Sequence, residues 1–476
     1  MNCDMKNLLR QSIILALCSF MALTAVHAKE KYDFLTRENI ADTYVAMQRF
    51  AEAENEYLAI LGSKSIDLLT CDRVSLKLAS TMYSTRKYKE AEKRFGAVLV
   101  RNIAAFTPKS ACDYVNTLIR LNQLQRAAEV ANRFNNQSAS YRNHQPLQNL
   151  AEGIKENGTT PSMTTVAVNK ASFNIAGSNF WCASYNNGLL FIHNDSNEAA
   201  MLRGAELYFY NGKNSKPYAK IPKTLQTGPA CFYNNGKTMV YTDNRYKENQ
   251  MVRLQKEEPI VTNYLNIVEL SYDEKTGQWG NPKSIFTDKP FSSICHPTVS
   301  EDGERMYFSA DFSNGKGGMD IYMSRKTKKG WGEPVSLGSL VNTKDDELYP
   351  NVNGNMLSFS SNGHKGIGGM DIYSVELDEE GLPMVETLEL LPYPVNTIYN
   401  DYAYMQDKDG ESGYFTSDRP NGGDLDAIYG WVKRIQFAKK DPLLDGIQVV
   451  NKSAAFTKHA EGEQLIAGSI AEAIIQ

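Results

Sequence analysis

The residue types able to do chemistry are spread thinly along this sequence. Beyond residue 28 the histidines fall in several different regions, at His144, His193, His296, His364 and His459. His296 follows Cys295, but neighbours on a strand point to opposite faces and cannot act together on one substrate. The sequence contains no G-x-S-x-G elbow, no H-E-x-x-H pair and no phosphate-binding loop. These features predict a protein that is not an enzyme.

Aspartates recur within a short sequence motif that the chain repeats. Gly317-Gly318-Met319-Asp320-Ile321-Tyr322 returns 51 residues later as the phrase that contains Asp371, and a looser copy contains Asp426. Such carboxylates could bind a metal, but a short carboxylate in a turn also satisfies backbone amides. The acidic segment Asp407–Glu411 lacks the spacing of a calcium loop. We therefore expect structural aspartates, no metal and no cofactor.

A period of about 50 residues, built from short strands and glycine turns, is typical of propeller blades. Five turn dipeptides each precede an apolar strand: Asn187-Gly188, Asn235-Gly236, Asp302-Gly303, Asn353-Gly354 and Asp409-Gly410. They predict a five-bladed β-propeller over residues 162–437. Six blades are the alternative, if the insertion around Lys247–Asn263 holds another one. Thr164–Val168 would supply the outer strand of the last blade and close the ring.

Residues 30–158 have the periodicity of helices. Three windows align at periods of 38 and 36 residues, close to the roughly 34 residues of a tetratricopeptide repeat. Ala53, Ala91 and Ala127 recur at one place in these windows, where a small side chain lets two helices approach closely. Gln145–Glu156 would be a capping helix. The predicted architecture is multidomain, a helical repeat followed by an all-β propeller.

The first 28 residues have the order of a secretory signal peptide. Lys6 and Arg10 precede the apolar run Ile13–Leu23, and Val26-His27-Ala28 is suited to cleavage. Without this leader the chain has 49 basic and 54 acidic residues and no long basic run, so nucleic acid is not an expected partner. No other stretch is long enough for a transmembrane span. We expect an exported protein.

Five cysteines lie beyond the leader, an odd number for an exported protein. Cys71 and Cys112 are expected near the starts of neighbouring helices, which makes them the candidate disulfide. The alternative is that the cysteines are small buried apolar residues, since no C-x-x-C spacing occurs.

The helical windows resemble the tetratricopeptide family, whose members present a concave groove to a peptide or a helix. The resemblance implies seven groove positions for a protein partner: Glu38, Asp42, Arg73, Ser80, Tyr83, Lys109 and Asn116. For each of them the alternative is a place on a solvated helix face.

The sequence of the predicted blade from Pro297 to Tyr322 resembles the TolB-type, WD40-like propeller repeat. The linker Lys329–Pro334, followed by Val341-Asn342-Thr343, is similar to that of envelope proteins of the Bacteroidetes. A tetratricopeptide segment before such a propeller resembles the PorE family of the type IX secretion system. The resemblance implies a periplasmic protein of the cell envelope that associates with the outer membrane. That family continues into an OmpA-type domain that binds peptidoglycan. Here residues 438–476 follow the propeller as a tail, which would pack on it or form a short helix, so the resemblance implies at most indirect contact with peptidoglycan.

Two functions are alternatives at this point. The first is a non-catalytic, exported scaffold that binds envelope proteins through the helical groove and the propeller face, in type IX secretion or outer-membrane organisation. The second is binding of a glycan or a peptide in the propeller channel. Aromatic and acidic residues clustered at the channel mouth would favour the second function, and a channel plugged by side chains would count against it.

Overall fold

The computed structural model describes residues 34–46, 49–156, 166–194, 205–218, 226–244, 251–252, 260–261, 264–289, 292–420 and 425–433. The expected signal peptide, residues 1–28, and the tail, residues 438–476, lie outside these ranges. The chain divides into two compact units between Leu147 and Gln148. In the ranges given, we find no helix that is long and apolar enough to cross a membrane.

The N-terminal region is helical, as its periodicity predicts. Its helices are α1 (residues 34–46), α2 (Phe50–Leu61), α3 (Leu68–Ser84), α4 (Tyr88–Arg101), α5 (Pro108–Arg120), α6 (Leu124–Gln137), α7 (Ala139–Arg142) and α8 (Gln145–Glu156). Side chains satisfy the free amides at the start of two of them. Asp67 accepts a hydrogen bond from the Thr70 amide at 2.9 Å, and Thr107 forms a reciprocal cap with Ser110.

Small and aromatic residues set the spacing of these helices. Ala53, Ala91 and Ala127 are completely buried, as expected where two helices approach closely. Phe95 of α4 and Tyr114 of α5 stack with ring centroids 5.2 Å apart. The apolar pattern of the sequence therefore locates the helical core correctly.

The second unit is a propeller of five antiparallel blades. Blade 1 contains β2 (Ser178–Tyr185), β3 (Gly188–Asn194), β4 (Glu206–Tyr210) and β5 (Ser215–Pro217). Blade 2 contains β6 (Gln226–Tyr233), β7 (Thr238–Asn244), β10 (Asn266–Asp273), β11 (Gln278–Trp279) and β12 (Lys283–Ser284). Blade 3 contains β13 (Ile294–Val299), β14 (Arg305–Ala310), β15 (Asp320–Thr327), β16 (Gly330–Trp331) and β17 (Val335–Ser336).

The last two blades complete the ring. Blade 4 contains β18 (Glu347–Asn353), β19 (Met356–Ser361), β20 (Asp371–Glu376) and β21 (Glu389–Leu390). Blade 5 contains β22 (Asp401–Gln406), β23 (Ser412–Ser417), β24 (Ala427–Lys433) and, as its outer strand, β1 (Val166–Lys170). The pairing of β1 with β24 runs from Val166 opposite Lys433 to Lys170 opposite Tyr429. This is the closure that the sequence predicts, and it removes an exposed sheet edge.

The insertion in blade 2 holds a hairpin and not a sixth blade. Its described residues are the short paired strands β8 (Met251–Val252) and β9 (Ile260–Val261). Five blades, the first of the two alternatives, are therefore correct.

The Val-Asn-Thr segments of the sequence tie strands together. Asn342 accepts a hydrogen bond from the Ile321 amide at 2.8 Å and donates to the Ile321 carbonyl at 3.0 Å. Asn396 makes the same pair of contacts with Ile372, both at 2.8 Å. An asparagine can do this because its side chain carries one donor and one acceptor group, like a backbone amide. These repeats are thus part of the blade architecture.

Candidate functional site

A cavity of about 820 Å³ lies where the innermost strands of the five blades meet. Residues of β2, β6, β13, β18 and β22 all line it. Aromatic side chains form much of its wall, including Trp181, Phe232, Tyr349, Tyr404 and Trp431. Its size falls within the range of about 300–1,000 Å³ that is usual for small-molecule sites. The side chains of the described residues leave the channel open in this region.

Irregular backbone shapes the wall of this cavity. The pairing of each innermost strand with the second strand of its blade shifts register at one place. Four of these places hold a non-glycine residue with positive φ: 47° at Trp181, 55° at His296, 52° at Tyr349 and 54° at Ala403. A bulge re-aims side chains, and a positive φ in a bulky residue is costly and tends to occur at functional sites. The rings of Trp181, His296 and Tyr349 owe their places in the wall to these bulges.

Hydroxyl groups from neighbouring blades stabilise three of the bulges. The amide of His296 donates to Thr242 Oγ1 at 2.8 Å, that of Ala403 to Ser360 Oγ at 3.2 Å, and that of Trp181 to Thr416 Oγ1 at 2.9 Å. In each case the hydroxyl residue follows an aromatic residue in the second strand of the preceding blade. We call these contacts the inter-blade staples, and they hold adjacent blades in register at the channel.

His296 and Tyr349 form one side of the wall together. Their rings are stacked, with centroids 3.9 Å apart and planes 11° apart. The Tyr349 amide donates to His296 Nδ1 at 3.4 Å. Because Nδ1 accepts this hydrogen bond, the proton of the neutral ring is on Nε2. The next ring along is Tyr402, whose centroid lies 5.2 Å from that of Tyr349.

The titratable side chains that β2, β6, β13 and β18 contribute to the cavity wall are neutral near pH 7. Burial lowers the pKa of the His296 imidazole to about 3, and burial raises the pKa of the Tyr349 phenol. The same cause raises the pKa of the Cys231 thiol to about 11 and that of the Cys182 thiol well above its ordinary value. Neither thiol is a thiolate at neutral pH, so neither has the form that attacks substrates or binds metals. The wall can stack on a ligand and exchange neutral hydrogen bonds with it.

The mouth of the cavity carries acidic side chains. The hairpin between β22 and β23 contributes Asp407, Lys408, Asp409 and Glu411, of which the last three are exposed. Behind this hairpin, Tyr404 stacks on Trp431 with ring centroids 5.3 Å apart and planes 11° apart. Aromatic and acidic residues therefore cluster at the channel mouth, which is the arrangement that favours the second of the two functions considered above.

The repeated aspartates satisfy backbone and hydroxyl groups. Asp371 Oδ2 accepts hydrogen bonds from the amides of Ile367 and Gly368, both at 2.8 Å. Asp320 Oδ2 accepts from the Lys316 amide in the same way, and Asp426 accepts from the Ser178 hydroxyl at 2.7 Å. In the described part of the chain, no three His, Cys, Asp or Glu residues are grouped so that they could hold a metal ion. The contacts of these aspartates are those of structural residues.

Three of the predicted groove residues meet between α1 and α3. Glu38 accepts from Arg73 Nε at 2.9 Å and pairs with Lys77 at 2.8 Å, while Asp42 pairs with Lys77 at 2.5 Å and accepts from the Tyr57 hydroxyl at 2.6 Å. Burial acts to raise the pKa of Glu38, but the hydrogen bonds from Arg73 and Lys77 outweigh it and hold the value below the ordinary one. Glu38 is only 3% exposed, so it holds two helices together and is not a free groove residue.

The other four groove positions lie on α3 and α5. Lys109 has 81% of its side chain exposed and pairs with Asp113 at 3.2 Å. Asn116 donates to Cys112 Sγ at 3.7 Å, and the Tyr83 ring packs on that of Tyr88 with centroids 5.9 Å apart. The Ser80 carbonyl accepts from the Ser84 hydroxyl one turn later. Lys109 is thus the cation of this set that is most accessible to a partner.

The candidate disulfide is not formed in the structure. Cys71 and Cys112 do not form a disulfide, and each is partly buried. They lie on α3 and α5, two helices separated in sequence by α4, and the Cys112 sulfur accepts from an amide on its own helix instead. The remaining cysteines of the described ranges, Cys182, Cys231 and Cys295, are also unpaired.

Sequence reasoning did not find the cavity residues. A usable signal is the dipeptide that ends in proline inside an innermost strand, as in His296-Pro297 and Tyr349-Pro350. Proline inside a strand is confined to edges and bulges, so this pair marks the place where the preceding ring leaves the ladder.

Comparison with known proteins adds a likeness in fold. No family model and no curated protein matches the chain, so the tetratricopeptide and PorE resemblances stay predictions. Similar solved structures include a GH43 endo-arabinanase from Bacillus licheniformis, at 13% identity and a TM-score of 0.34 over 54% of this chain and 94% of that one. TolB from Acinetobacter baumannii is similar at 11% identity and a TM-score of 0.30, over 62% and 71% of the two chains. A xylan β-1,4-xylosidase from Bacillus halodurans C-125 is similar at 11% identity and a TM-score of 0.32, over 55% of this chain and 53% of that one.

These structures contradict the prediction that the chain is not an enzyme. Several of the chains similar in fold are arabinanases or xylosidases, so the fold gives no ground for excluding catalysis. At these identities the likeness describes the fold and assigns no activity. What is shown is a helical region followed by a five-bladed propeller that resembles TolB and GH43 enzymes in its fold.

Proposed function

We propose that this protein binds a neutral, hydroxyl-rich ligand of the carbohydrate class in the central cavity of its propeller. The observation that carries the proposal is a cavity of about 820 Å³ whose wall is built from aromatic rings and uncharged polar groups. A sugar has apolar C–H faces that suit flat rings and hydroxyl groups that suit neutral donors and acceptors. Ser184, Asn351 and Gln406 supply such neutral groups along the wall.

The acidic mouth adds a preference about charge. Within the Asp407–Glu411 hairpin, three carboxylates stand against one lysine, and that lysine pairs with Glu301 at 3.0 Å. An anionic ligand would approach against this charge, and its carboxylates would lose water beside a wall whose His296 is neutral and whose Lys408 is paired with Glu301. Neutral saccharides are therefore preferred over uronic acids, and over acidic peptides.

The test is calorimetric titration of the protein with maltotriose, xylotriose, arabinotriose, trigalacturonate and trialanine. We expect at least one neutral trisaccharide to bind and trigalacturonate to bind at least tenfold more weakly than it, by the charge argument above. Tyr404→Ala removes one face of the wall and should weaken the binding about tenfold, the size of one aromatic contact. Chromatography of the mixtures after incubation shows whether the trisaccharide is also cleaved.

A matched control removes an aromatic ring outside the propeller. Tyr83 lies in the helical unit, so Tyr83→Ala should leave trisaccharide binding unchanged. Binding of trialanine alone would replace the carbohydrate by a peptide. Failure of every probe, or equal affinity of Tyr404→Ala and the wild type, would contradict a ligand site in this cavity.

For the helical unit we propose a separate role as a docking site for an envelope protein, in an exported chain that acts in type IX secretion or outer-membrane organisation. The side chains of Lys109 on α5 and Arg73 on α3 support this role, because 81% and 48% of them stay exposed although they pair with Asp113 and Glu38. A partner with an acidic segment would fit them.

Lys109→Glu is a sharper test of docking than a change at Arg73. Arg73 neutralises the buried Glu38, so its reversal would damage the fold, whereas Lys109 is mostly solvated. We expect Lys109→Glu to reduce capture of partners from gently solubilised envelopes. Lys93→Glu, on the exposed face of α4, is the control that should leave capture unchanged. Equal capture by both variants would remove the docking role from this surface.

A further inference from the structure

The junction between blades 3 and 4 lacks an inter-blade staple that its sequence could form. Ser309 follows Phe308 in β14, just as Ser360 follows Phe359 in β19. Each of these serines pairs with the residue just before a positive-φ residue, Ser309 with Cys295 and Ser360 with Leu348. Yet Ser309 Oγ is completely buried and has no hydrogen-bond partner among the described residues.

The amide that would complete this staple donates elsewhere. By analogy with the other junctions, the donor to Ser309 is the amide of Tyr349, the positive-φ residue of the next blade. That amide donates to His296 Nδ1 at 3.4 Å, whereas the three staples measure 2.8, 2.9 and 3.2 Å. The amide that a fourth staple would need is therefore engaged with a different acceptor, through a contact longer than any of the three staples.

The two acceptors differ in what else they can bind. Ser309 is buried between blades, while His296 lines the cavity and its Nδ1 could accept a hydrogen bond from a ligand hydroxyl. A buried hydroxyl without a partner costs free energy, as does a buried amide without one. Moving the Tyr349 amide to Ser309 would satisfy the serine and release His296 at the same time.

We propose that Ser309 is a positioning residue for the cavity ligand. When a ligand hydroxyl donates to His296 Nδ1, the Tyr349 amide transfers to Ser309 Oγ and the fourth staple forms. The imidazole stays neutral with its proton on Nε2 throughout, so no proton is gained or lost. The ligand part of this inference rests on the proposed carbohydrate site, and the exchange between the two acceptors does not.

The exchange can be tested without any ligand by a double-mutant cycle on thermal unfolding of the full chain. Ser309→Ala removes a buried hydroxyl that has no partner in the free protein, so it should not lower the unfolding midpoint. His296→Phe keeps a ring stacked on Tyr349 but removes Nδ1. The Tyr349 amide should then donate to Ser309 Oγ, so the unfolding midpoint should fall only slightly. The double variant leaves the amide with neither acceptor, and its midpoint should fall about 2 °C or more below the sum of the single effects. Additive effects would overturn the exchange.

The ligand arm uses the neutral trisaccharide that binds the wild type most tightly among maltotriose, xylotriose and arabinotriose. Ser309→Ala should weaken its binding about tenfold, because the bound state then lacks an acceptor for the Tyr349 amide. Ser324→Ala is the matched control, since its hydroxyl is also completely buried in blade 3 and donates to the Gly332 carbonyl at 2.7 Å, away from the residues that line the cavity. It should lower the unfolding midpoint and leave the affinity unchanged.

The readout specific to positioning is the ¹⁵N–¹H resonance of the Tyr349 amide in protein labelled at tyrosine. It should shift when the trisaccharide is added to the wild type and not when it is added to Ser309→Ala. Equal affinities of Ser309→Ala and the wild type would overturn the coupling to the ligand. If no trisaccharide binds the wild type, the carbohydrate site fails, and the double-mutant cycle alone decides the exchange.

Discussion

Asp371 is an acid that the propeller keeps buried inside blade 4. One of its carboxyl oxygens accepts two amides, and the other is buried without a partner among the described residues. Burial, with the nearby charge of Asp401 as a further cause, raises the pKa of Asp371 from 3.8 to about 8. A raised pKa in the folded state means that this group's contribution to stability is complete below pH 3.8 and is lost as the pH rises through 8.

Asp371→Asn should remove this dependence. Asparagine keeps an oxygen for the two amides and cannot ionise, so its unfolding midpoint should change little between pH 7 and pH 9 while that of the wild type falls. The measurement is thermal unfolding followed by circular dichroism at half-unit pH steps. Asp409→Asn, on the exposed mouth hairpin, should retain the wild-type fall. A parallel fall in Asp371→Asn and the wild type would mean that another group titrates.

At the scale of a structural element, the Val-Asn-Thr linkers hold the third strand of one blade to the segment that leads into the next. Asn342 is completely buried and binds both backbone groups of Ile321. Asn342→Ala leaves both groups without a partner, so the free energy of unfolding should fall by on the order of 2–3 kcal/mol. Chemical denaturation measures this change.

Asn355→Ala in the exposed turn after β18 is the control for Asn342→Ala. Its side chain is exposed, so its effect should stay within about 0.5 kcal/mol of zero. A similarly small effect of Asn342→Ala would show that water replaces the asparagine in the linker.

Some structural elements could be predicted from the sequence more accurately than others, for physical reasons. Turn dipeptides and alternating strands act locally, so the five blades were predicted. The closing strand was predicted at Thr164–Val168 and lies at Val166–Lys170. The cavity was not predicted, because a bulge decides which rings face the channel and pairing register is not local. Glu38 was assigned to a groove since its spacing fits one, yet its burial comes from Arg73 and Lys77, which are about 35 residues away.

At the scale of the whole molecule, the ring depends on one pairing between its first and last strands. Replacing residues 166–170 with alternating glycine and serine should leave β24 as an open edge, since neither residue favours a strand. We expect a lower unfolding midpoint and faster hydrogen exchange in residues 427–433. The same replacement at residues 251–252, in the hairpin of the insertion, should have neither effect. Unchanged exchange in β24 would show that the ring does not rely on β1.

The pairing of β1 with β24 also determines when the ring can close during synthesis. β1 leaves the ribosome before every other propeller strand, and its partner β24 leaves last, so the first strand must wait while four blades and most of the fifth are translated. At roughly 5–20 residues per second, the wait lasts on the order of tens of seconds. During that interval the growing propeller has an open sheet edge at each end, which makes it a substrate for chaperones and a target for wrong pairing. The ring that is closed in the folded state is thus assembled from a nascent chain that has two open sheet edges.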